Sequence, residues 1–175
     1  MVLKLDLVFP MTDLYDSENV ICYNKQSLTK LVKAIALSQG DFSLILVSCN
    51  NPELQEQVME RLREISEVEI QEIVLYPSVR TLYTTIEATI EDHQQPQALM
   101  VYGLDSVVDI HELLSATNHV RNEFRKRFTF PLVLWVSDEI LLKVTRLAPD
   151  FKSWATKIRF EVPKSHSIER TAISA

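Results

Sequence analysis

Two hydrophobic patterns alternate along this chain, one typical of strands and one of helices. Runs rich in apolar residues, each of strand length, are separated by segments in which apolar residues recur every three or four positions. These runs predict strands at residues 42–49, 68–76, 98–104, 131–136 and 157–162, and the amphipathic last strand is expected at a sheet edge. Residues 3–9 alternate strictly and predict a short, half-buried N-terminal strand.

Amphipathic helices are predicted between these strands. The helix after the first strand presents an apolar face made by Leu54, Val58, Leu62 and Ile65. Asn51 is a good N-cap for it, and Pro52 fits its first position. Ser78 is expected to cap the next helix, and Asp109 with Glu112 resembles a capping box. Strands that alternate with helices predict an α/β fold, a parallel five-stranded sheet with helices on both faces.

Length and composition favour one globular domain. The chain has 175 residues, of which 46% are hydrophobic and 24% charged. That is enough apolar material for one full core and too little charge for extensive disorder. We assign residues 1–162 to a single domain and the polar residues 163–175 to a tail or linker.

The net charge and the cysteine content indicate which ligands and which cellular compartment suit the protein. A net charge of −6 argues against binding to nucleic acid or to an anionic membrane, because both need a basic face. The longest apolar run is too short to cross a bilayer, and the first residues lack a signal-peptide pattern. Cys22 and Cys49 have no metal-ligand spacing, so we expect reduced, buried thiols in a cytoplasmic protein.

Candidate site residues follow the predicted strands. In an open parallel sheet, ligands bind beyond the carboxyl ends of the strands. Those ends carry the polar residues Ser48, Asn50, Asn51, Asp105 and Ser137. We expect these five side chains to line one crevice.

The segment after the first strand is unsuited to phosphate. A phosphate-binding loop needs glycines to expose backbone N–H groups, a lysine to neutralise charge, and a Ser or Thr for magnesium. Residues 48–53 read SCNNPE, and the only glycines of the chain are Gly40 and Gly103. Pro52 has no N–H, and Glu53 places a carboxylate where the anion would bind. The predicted crevice is therefore vestigial, and we assign no cofactor, no metal ion and no catalytic residue.

Two residues of the crevice allow a second interpretation. Asp105 could hold magnesium, although a turn residue is the better interpretation. Ser137 could sense a phosphate, or it could cap the helix that begins at Asp138. Glu53, Asp105 and Asp138 together predict an acidic crevice whose charges repel one another. The basic residues within 121–127 predict a solvated helix face.

Three segments carry a resemblance to a known group of proteins. Residues 131–137 (PLVLWVS) and 147–154 (LAPDFKSW) resemble a signature of the P-loop-like, AAA- and STAND-type N-terminal domains of bacterial multidomain signalling proteins. In those proteins tetratricopeptide repeats or other modules follow the domain. Residues 44–52 (LILVSCNNP) are similar to the same group, several members of which have a short polar turn with proline instead of the phosphate loop. By order of elements the resemblance covers residues 27–162. It implies a P-loop-type sheet with the first of the five strands between the fourth and the fifth, and it transfers no catalytic residue because this chain lacks the loop.

The sequence thus predicts a pseudo-NTPase, a non-catalytic module that contacts a protein partner or a downstream domain of its own chain. Two alternatives stay open, a divergent NTPase that uses Asp105 and Ser137, and a structural subunit that pairs with copies of itself. Phe151 and Trp154, which follow a proline, are expected to fold back onto the sheet as core aromatics.

Overall fold

A parallel sheet of five strands forms the centre of the protein. The computed structural model describes residues 19–90 and 94–163. The strands are β1 (Ser43–Cys49), β2 (Ile70–Val74), β3 (Ala98–Tyr102), β4 (Pro131–Val136) and β5 (Ala155–Phe160). Their order is β2-β3-β4-β1-β5, so β1 lies between β4 and β5, as the resemblance implied. The α/β fold class is confirmed, and β5 is an edge strand as predicted.

Helices connect the strands and cover the sheet. They are α1 (Lys25–Leu37), α2 (Pro52–Ile65), α3 (Leu82–Thr89), α4 (Ile110–His119), α5 (Arg121–Arg127), α6 (Asp138–Leu147) and α7 (Pro149–Ser153). Residues 19–23 are also helical and precede α1. A short 3-10 helix, Leu104–Ser106, follows β3. None of the helices within the described ranges is long and apolar enough to cross a membrane.

Alternate residues of each strand point to opposite sides of the sheet. Helices cover both sides, so side chains on both faces are buried. Leu44 and Leu46 of β1 pack in a core with α3 to α7. Ile45 and Val47 pack in a second core with α1 and α2. This two-sided burial explains why β1 and β4 are apolar along nearly their whole length.

Several predicted helix ends differ from the observed ones. Asn51 and Pro52 begin α2 as expected. The helix predicted to begin at Ser78 instead begins after Thr81, because residues 76–79 form a turn in which the Val79 N–H donates to the Tyr76 carbonyl at 3.1 Å. Asp109 is the N-cap of α4, but its side chain accepts no capping hydrogen bond. A break at Val120 then divides the third predicted helix into α4 and α5.

The two cysteines have different environments. Cys49 is buried at the end of β1, as predicted. Cys22 is exposed, so the prediction of two buried thiols is wrong for this residue. The short helical stretch that carries Cys22 packs only part of its surface against the second core, through Val20 and Ile21.

The predicted aromatic pair after α6 is only partly a core feature. Phe151 is 2% exposed and belongs to the first core. Trp154 packs against that core but stays partly exposed, with its ring centroid 6.3 Å from that of Phe151. The Arg125 guanidinium lies over the indole, 3.6 Å from the ring centroid.

The predicted strand at residues 3–9 and nearly all of the predicted tail at 163–175 lie outside the described residues.

Candidate functional site

The topology of the sheet creates a crevice beyond the carboxyl ends of β1 and β4. From β1 the chain passes through α2 to the far edge strand β2, whereas from β4 it crosses β1 through α6 and α7 to reach β5. Connections that leave neighbouring strands in opposite directions open a crevice at the strand ends. Of the five predicted site residues, Asn50 and Asn51 line a hollow at this place, Asp105 and Ser137 pair with each other, and Ser48 is buried, so the five do not line one crevice as predicted.

The start of α2 keeps its own backbone donors occupied. The Asn51 side-chain oxygen accepts a hydrogen bond from the Leu54 N–H at 2.9 Å, and the Gln55 N–H donates to the Asn51 carbonyl at 3.0 Å. Pro52 has no N–H to offer. Among the described residues this leaves the Glu53 N–H as the first-turn donor without an acceptor, next to a carboxylate. The arrangement stabilises the helix and presents little to an anion.

A polar cluster, which we call the crevice clasp, joins the ends of β1, α6 and β5 through Asn50, Asp138, Arg159 and Glu161. The Asn50 side-chain amide donates to Asp138 at 2.8 Å and accepts from the Asp138 N–H at 2.8 Å. Arg159 donates to both Asp138 carboxylate oxygens, at 2.6 and 3.0 Å, and also to Glu161. These groups line a hollow of about 500 Å³ together with Asn51, Phe160 and Val162. One guanidinium is thus shared by two carboxylates, and the clasp keeps a formal charge of −1.

The pKa of each charged partner reflects this pairing. Hydrogen bonds from Arg159, and then from Asn50, hold the pKa of Asp138 below its usual value against a smaller opposing effect of burial. Hydrogen bonds to Asp138 and Glu161 raise the pKa of Arg159 further. The Asp138 and Arg159 side chains are 42% and 49% exposed, so water weakens the attraction between them.

Arg159 brings a cation into the crevice that the sequence predicts to be acidic. Its guanidinium pairs with both Asp138 and Glu161 and so offsets one of these two negative charges. Arg159 was not among the predicted site residues, because the amphipathic pattern of β5 indicates an edge strand and not which of its side chains reaches the crevice. The available signal was register: Arg159 is the β5 partner of Ser48, whose partner on β4 is Val136. Arg159, Ser48 and Val136 therefore lie in one row across the sheet, and Val136 is followed by Ser137.

Asp105 and Ser137 do come together, as predicted from their places at the strand ends. The Ser137 hydroxyl donates to the Asp105 carboxylate. Ser137 is also the N-cap of α6, and its oxygen accepts from the Ile140 N–H at 3.2 Å. Asp105 lies in the 3-10 helix that follows Gly103. Each residue thus has a local structural role, which is the interpretation preferred from the sequence for Asp105 and one of the two left open for Ser137.

Ser48 and Cys49 lie deeper than the other candidates. Ser48 is 5% exposed. Cys49 is 8% exposed, and its thiol donates to the Asn51 carbonyl at 3.3 Å. Burial raises the pKa of the Cys49 thiol, which favours the unreactive protonated form. No group of three or more potential metal ligands occurs within the described parts of the chain.

The basic residues of α5 contact other parts of this chain. Arg125 stacks on Trp154, and Lys126 pairs with Glu123 at 3.0 Å. Arg127 lies 3.5 Å from Glu87, and Arg121 donates to the Asn118 carbonyl at 2.7 Å. A row of cations with internal partners is a weaker phosphate-binding surface than a row of free ones.

Comparison with known proteins supports the fold alone. No family profile matches the sequence, and no curated protein matches it. A solved structure of Drosophila ORC bound to DNA superimposes with a TM-score of 0.56 at 12% identity, covering 94% of this chain and 34% of that one. Drosophila ORC bound to poly(dA/dT) DNA and Cdc6 gives 0.50 at 11% identity, with 94% and 33% covered.

These neighbours define the class of the fold. They are AAA+ P-loop ATPase chains with a parallel α/β sheet, so this protein has a P-loop-like, AAA-like fold. The chain spans about a third of the length of the chains it matches. At such low identity the likeness does not extend to their activity or their ligands.

Proposed function

We propose that this protein is a pseudo-NTPase, a non-catalytic AAA-like module that acts through protein contacts in a longer bacterial signalling protein of the cytoplasm. The observation that carries the proposal is the start of α2. Where a P-loop would surround a phosphate, Asn51 caps the helix, Pro52 lacks a donor and Glu53 supplies a carboxylate. The polar groups of this segment thus bond within the segment and offer little to a phosphate.

The crevice clasp supports the same proposal. A divergent NTPase would need a cation available for phosphate, yet Arg159 is held between Asp138 and Glu161. Such an enzyme would also need Asp105 for magnesium, yet Asp105 accepts the Ser137 hydroxyl. A nucleotide would have to break these contacts before it gained its own.

Exposed apolar residues suggest where a protein partner would bind. Val74, Tyr76 and Val108 are 69%, 75% and 76% exposed. Val108 lies beside the segment that follows β2, because its N–H donates to the carbonyl of Pro77 at 3.0 Å. Contiguous exposed apolar surface is typical of protein interaction sites. It lies at the end of the edge strand β2, so a partner would also find unpaired backbone groups there.

Nucleotide titration tests the proposal directly. Binding at one hundred times the dissociation constant would stabilise the fold by about 2.7 kcal/mol. We expect no rise in Tm with Mg-ATP or Mg-GTP up to 1 mM (roughly the scale of enzyme substrate affinities), and no heat of binding by calorimetry. One-to-one micromolar binding would overturn the proposal.

The Asp105→Asn variant separates the pseudo-enzyme from the divergent NTPase. Asparagine keeps an oxygen that can accept a hydrogen bond from the Ser137 hydroxyl. We therefore expect the free energy of unfolding of the variant to lie within about 1 kcal/mol of the wild-type value, with or without magnesium and nucleotide. A ligand-induced rise in the wild-type Tm that disappears in Asp105→Asn would favour the enzyme.

Two further experiments test for DNA binding and for self-association. The neighbours were solved with DNA, but we propose that this chain does not bind DNA, because its net charge is −6 and its α5 cations are engaged internally. Salt-dependent retention on duplex DNA at low ionic strength would contradict this. Light scattering across a concentration series would detect the structural-subunit alternative as a mass above 20.2 kDa.

A further inference from the structure

The two edge strands of the sheet, β5 and β2, are covered to different extents. At β5, the Lys30 ammonium donates to the Lys157 carbonyl at 3.0 Å. The Asn24 side chain bonds both the N–H and the carbonyl of Glu161, at 3.0 and 2.9 Å. Side chains thus occupy outward backbone groups of β5, whereas no described residue makes such a contact with the outer side of β2.

The open backbone groups of β2 can be assigned from its pairing with β3. The Leu75 N–H donates to the Tyr102 carbonyl at 2.9 Å. In a parallel pair, residues alternate between bonding to the neighbouring strand and pointing their N–H and C=O groups away from it. Ile70, Glu72 and Val74 therefore direct both groups outward. A row of unpaired groups of this kind is a template for an added strand.

The side chains along this edge form an apolar half and an acidic half. Val74, the last residue of β2, and Tyr76 just after it are largely exposed. Glu67 and Glu69, just before β2, are exposed and have no ion-pair partner among the described residues, whereas Glu72 has an arginine partner. A segment that fits the edge should therefore carry apolar side chains at one end and positive charge at the other.

We propose that β2 binds an extended segment of a partner protein, antiparallel to β2, in which apolar residues at alternate positions are followed by Lys or Arg. Antiparallel pairing is the more stable kind per residue, and an antiparallel strand commonly ends an otherwise parallel sheet. In this orientation the apolar residues come first and pack beside Val74 and Tyr76. The basic residues follow and lie beside Glu67 and Glu69. The inference deepens the proposed function and rests on it, since it names the kind of partner for a module that acts through protein contacts.

A second copy of β2 fits this edge less well than such a segment. The strand has the sequence IQEIV and supplies no basic residue to meet Glu67 and Glu69. A pair of β2 strands would also involve only five residues a side. Stable interfaces between proteins use about 20–30 residues a side.

Two synthetic peptides test the proposal on the full-length chain. The lysine peptide, acetyl-Val-Thr-Val-Thr-Thr-Thr-Val-Lys-Thr-Lys-amide, has the proposed order of apolar and basic residues, and the glutamate peptide has Glu in place of both lysines. Each is titrated into isotopically labelled protein while the backbone amide signals are followed by NMR. We expect saturable binding of the lysine peptide with a dissociation constant below about 1 mM. The largest shifts, and slower hydrogen exchange, are expected at the amides of Glu72 and Val74.

Two substitutions at Val74 test whether the backbone of β2 carries the binding. Val74→Pro removes the outward N–H and no hydrogen bond to β3, and edge strands tolerate such a proline. We expect it to weaken binding of the lysine peptide at least about five-fold, the effect of one lost hydrogen bond. Val74→Thr keeps the N–H and suits a strand, so it should change the affinity less than about two-fold. Unchanged amide signals away from β2 show that each variant is folded.

A charge exchange tests the orientation of the bound segment. Glu67→Lys/Glu69→Lys should weaken binding of the lysine peptide at least about five-fold and strengthen binding of the glutamate peptide, because opposite charges across strands attract and like charges repel. Glu53→Lys/Glu56→Lys is the matched control at the start of α2, a helix of 14 residues that is about 20 Å long. At that separation salt screens the charges, so both affinities should stay within about two-fold.

Several outcomes would overturn the proposal. They are no saturable binding of the lysine peptide, shifts centred on β5 or the crevice, equal affinities of Val74→Pro and Val74→Thr, and no effect of the charge exchange. Another is a free protein in which the amides of Glu72 and Val74 are already protected from exchange. That result would assign the edge to a second copy if light scattering gives twice the monomer mass, and to the chain itself if it gives the monomer mass.

The outcomes also separate this proposal from the pseudo-NTPase. Micromolar nucleotide binding together with peptide binding at β2 would overturn the pseudo-NTPase and leave the strand addition standing. A silent peptide titration in a protein that binds no nucleotide would overturn the strand addition alone.

Discussion

Asn24 fixes the end of β5 through its side-chain amide, and its removal should be costly. The residue is 4% exposed and precedes α1. Its amide nitrogen donates to the Glu161 carbonyl at 2.9 Å and to the Val20 carbonyl at 2.8 Å. Its oxygen accepts from the Glu161 N–H at 3.0 Å. One side chain thus replaces the backbone partner that edge strand β5 lacks at this position.

The expected cost follows from the groups that Asn24→Ala would leave behind. A buried donor or acceptor without a partner costs about 1–3 kcal/mol. Glu161 is only partly buried, so water can reach one of its two backbone groups, and we expect a total loss of about 2 kcal/mol. For a domain of this size, that loss lowers Tm by roughly 4–8 °C.

Thermal and urea denaturation of matched variants would check this estimate. Asn122→Ala changes an exposed asparagine on α5 and should alter stability by no more than about 0.5 kcal/mol. Asn24→Asp keeps the oxygen that accepts the Glu161 N–H but turns a second oxygen toward the Val20 and Glu161 carbonyls, so at neutral pH it should be at least as destabilising as Asn24→Ala. An Asn24→Ala protein that melts with the Asn122→Ala control would refute the argument.

Three further predictions concern the backbone, the clasp and the aromatic pair. Gly40 and Gly103 both have positive φ, so alanine at either should cost about 1–2 kcal/mol, but a Cβ at Gly103 would also lie 2.9 Å from the Leu75 carbonyl oxygen. Gly103→Ala should therefore unfold at clearly lower urea concentration than Gly40→Ala, and equal midpoints would contradict the packing argument. The pKa of Asp138 is lower in the folded protein than its unfolded-state value of about 3.9. The ion pair of Asp138 therefore stabilises the fold at pH values above about 3.9, and this contribution is lost as the pH falls through the folded-state pKa. The stability difference between wild type and Asp138→Asn, at most about 1 kcal/mol at neutral pH, should thus vanish in acid, and a difference that grows in acid would refute the assignment. Trp154→Ala should cost about 2 kcal/mol, roughly half of a core substitution, whereas Phe151→Ala should cost about 3–5 kcal/mol; equal melting temperatures would show that Trp154 is as much a core residue as Phe151.

The fold class and the degenerate phosphate loop could be predicted because their signals are local. Apolar runs and helical periodicity located all five strands, and Asn51 with Pro52 located the start of α2. The missing glycines and lysine are visible in the sequence itself. The positions of Asp105 and Ser137 followed from strand ends, because parallel strands bring their carboxyl ends to one edge.

Only the tertiary structure decided which side chains act as partners across that edge. Arg159 is 21 residues from Asp138, and Asn24 is 137 residues from Glu161, so no local pattern connects either pair. Each contact depends on register and helix placement, which many residues determine together. The same reason explains the errors at Cys22 and Trp154: periodicity indicates which side of an element is apolar, but the depth of burial depends on what packs against it.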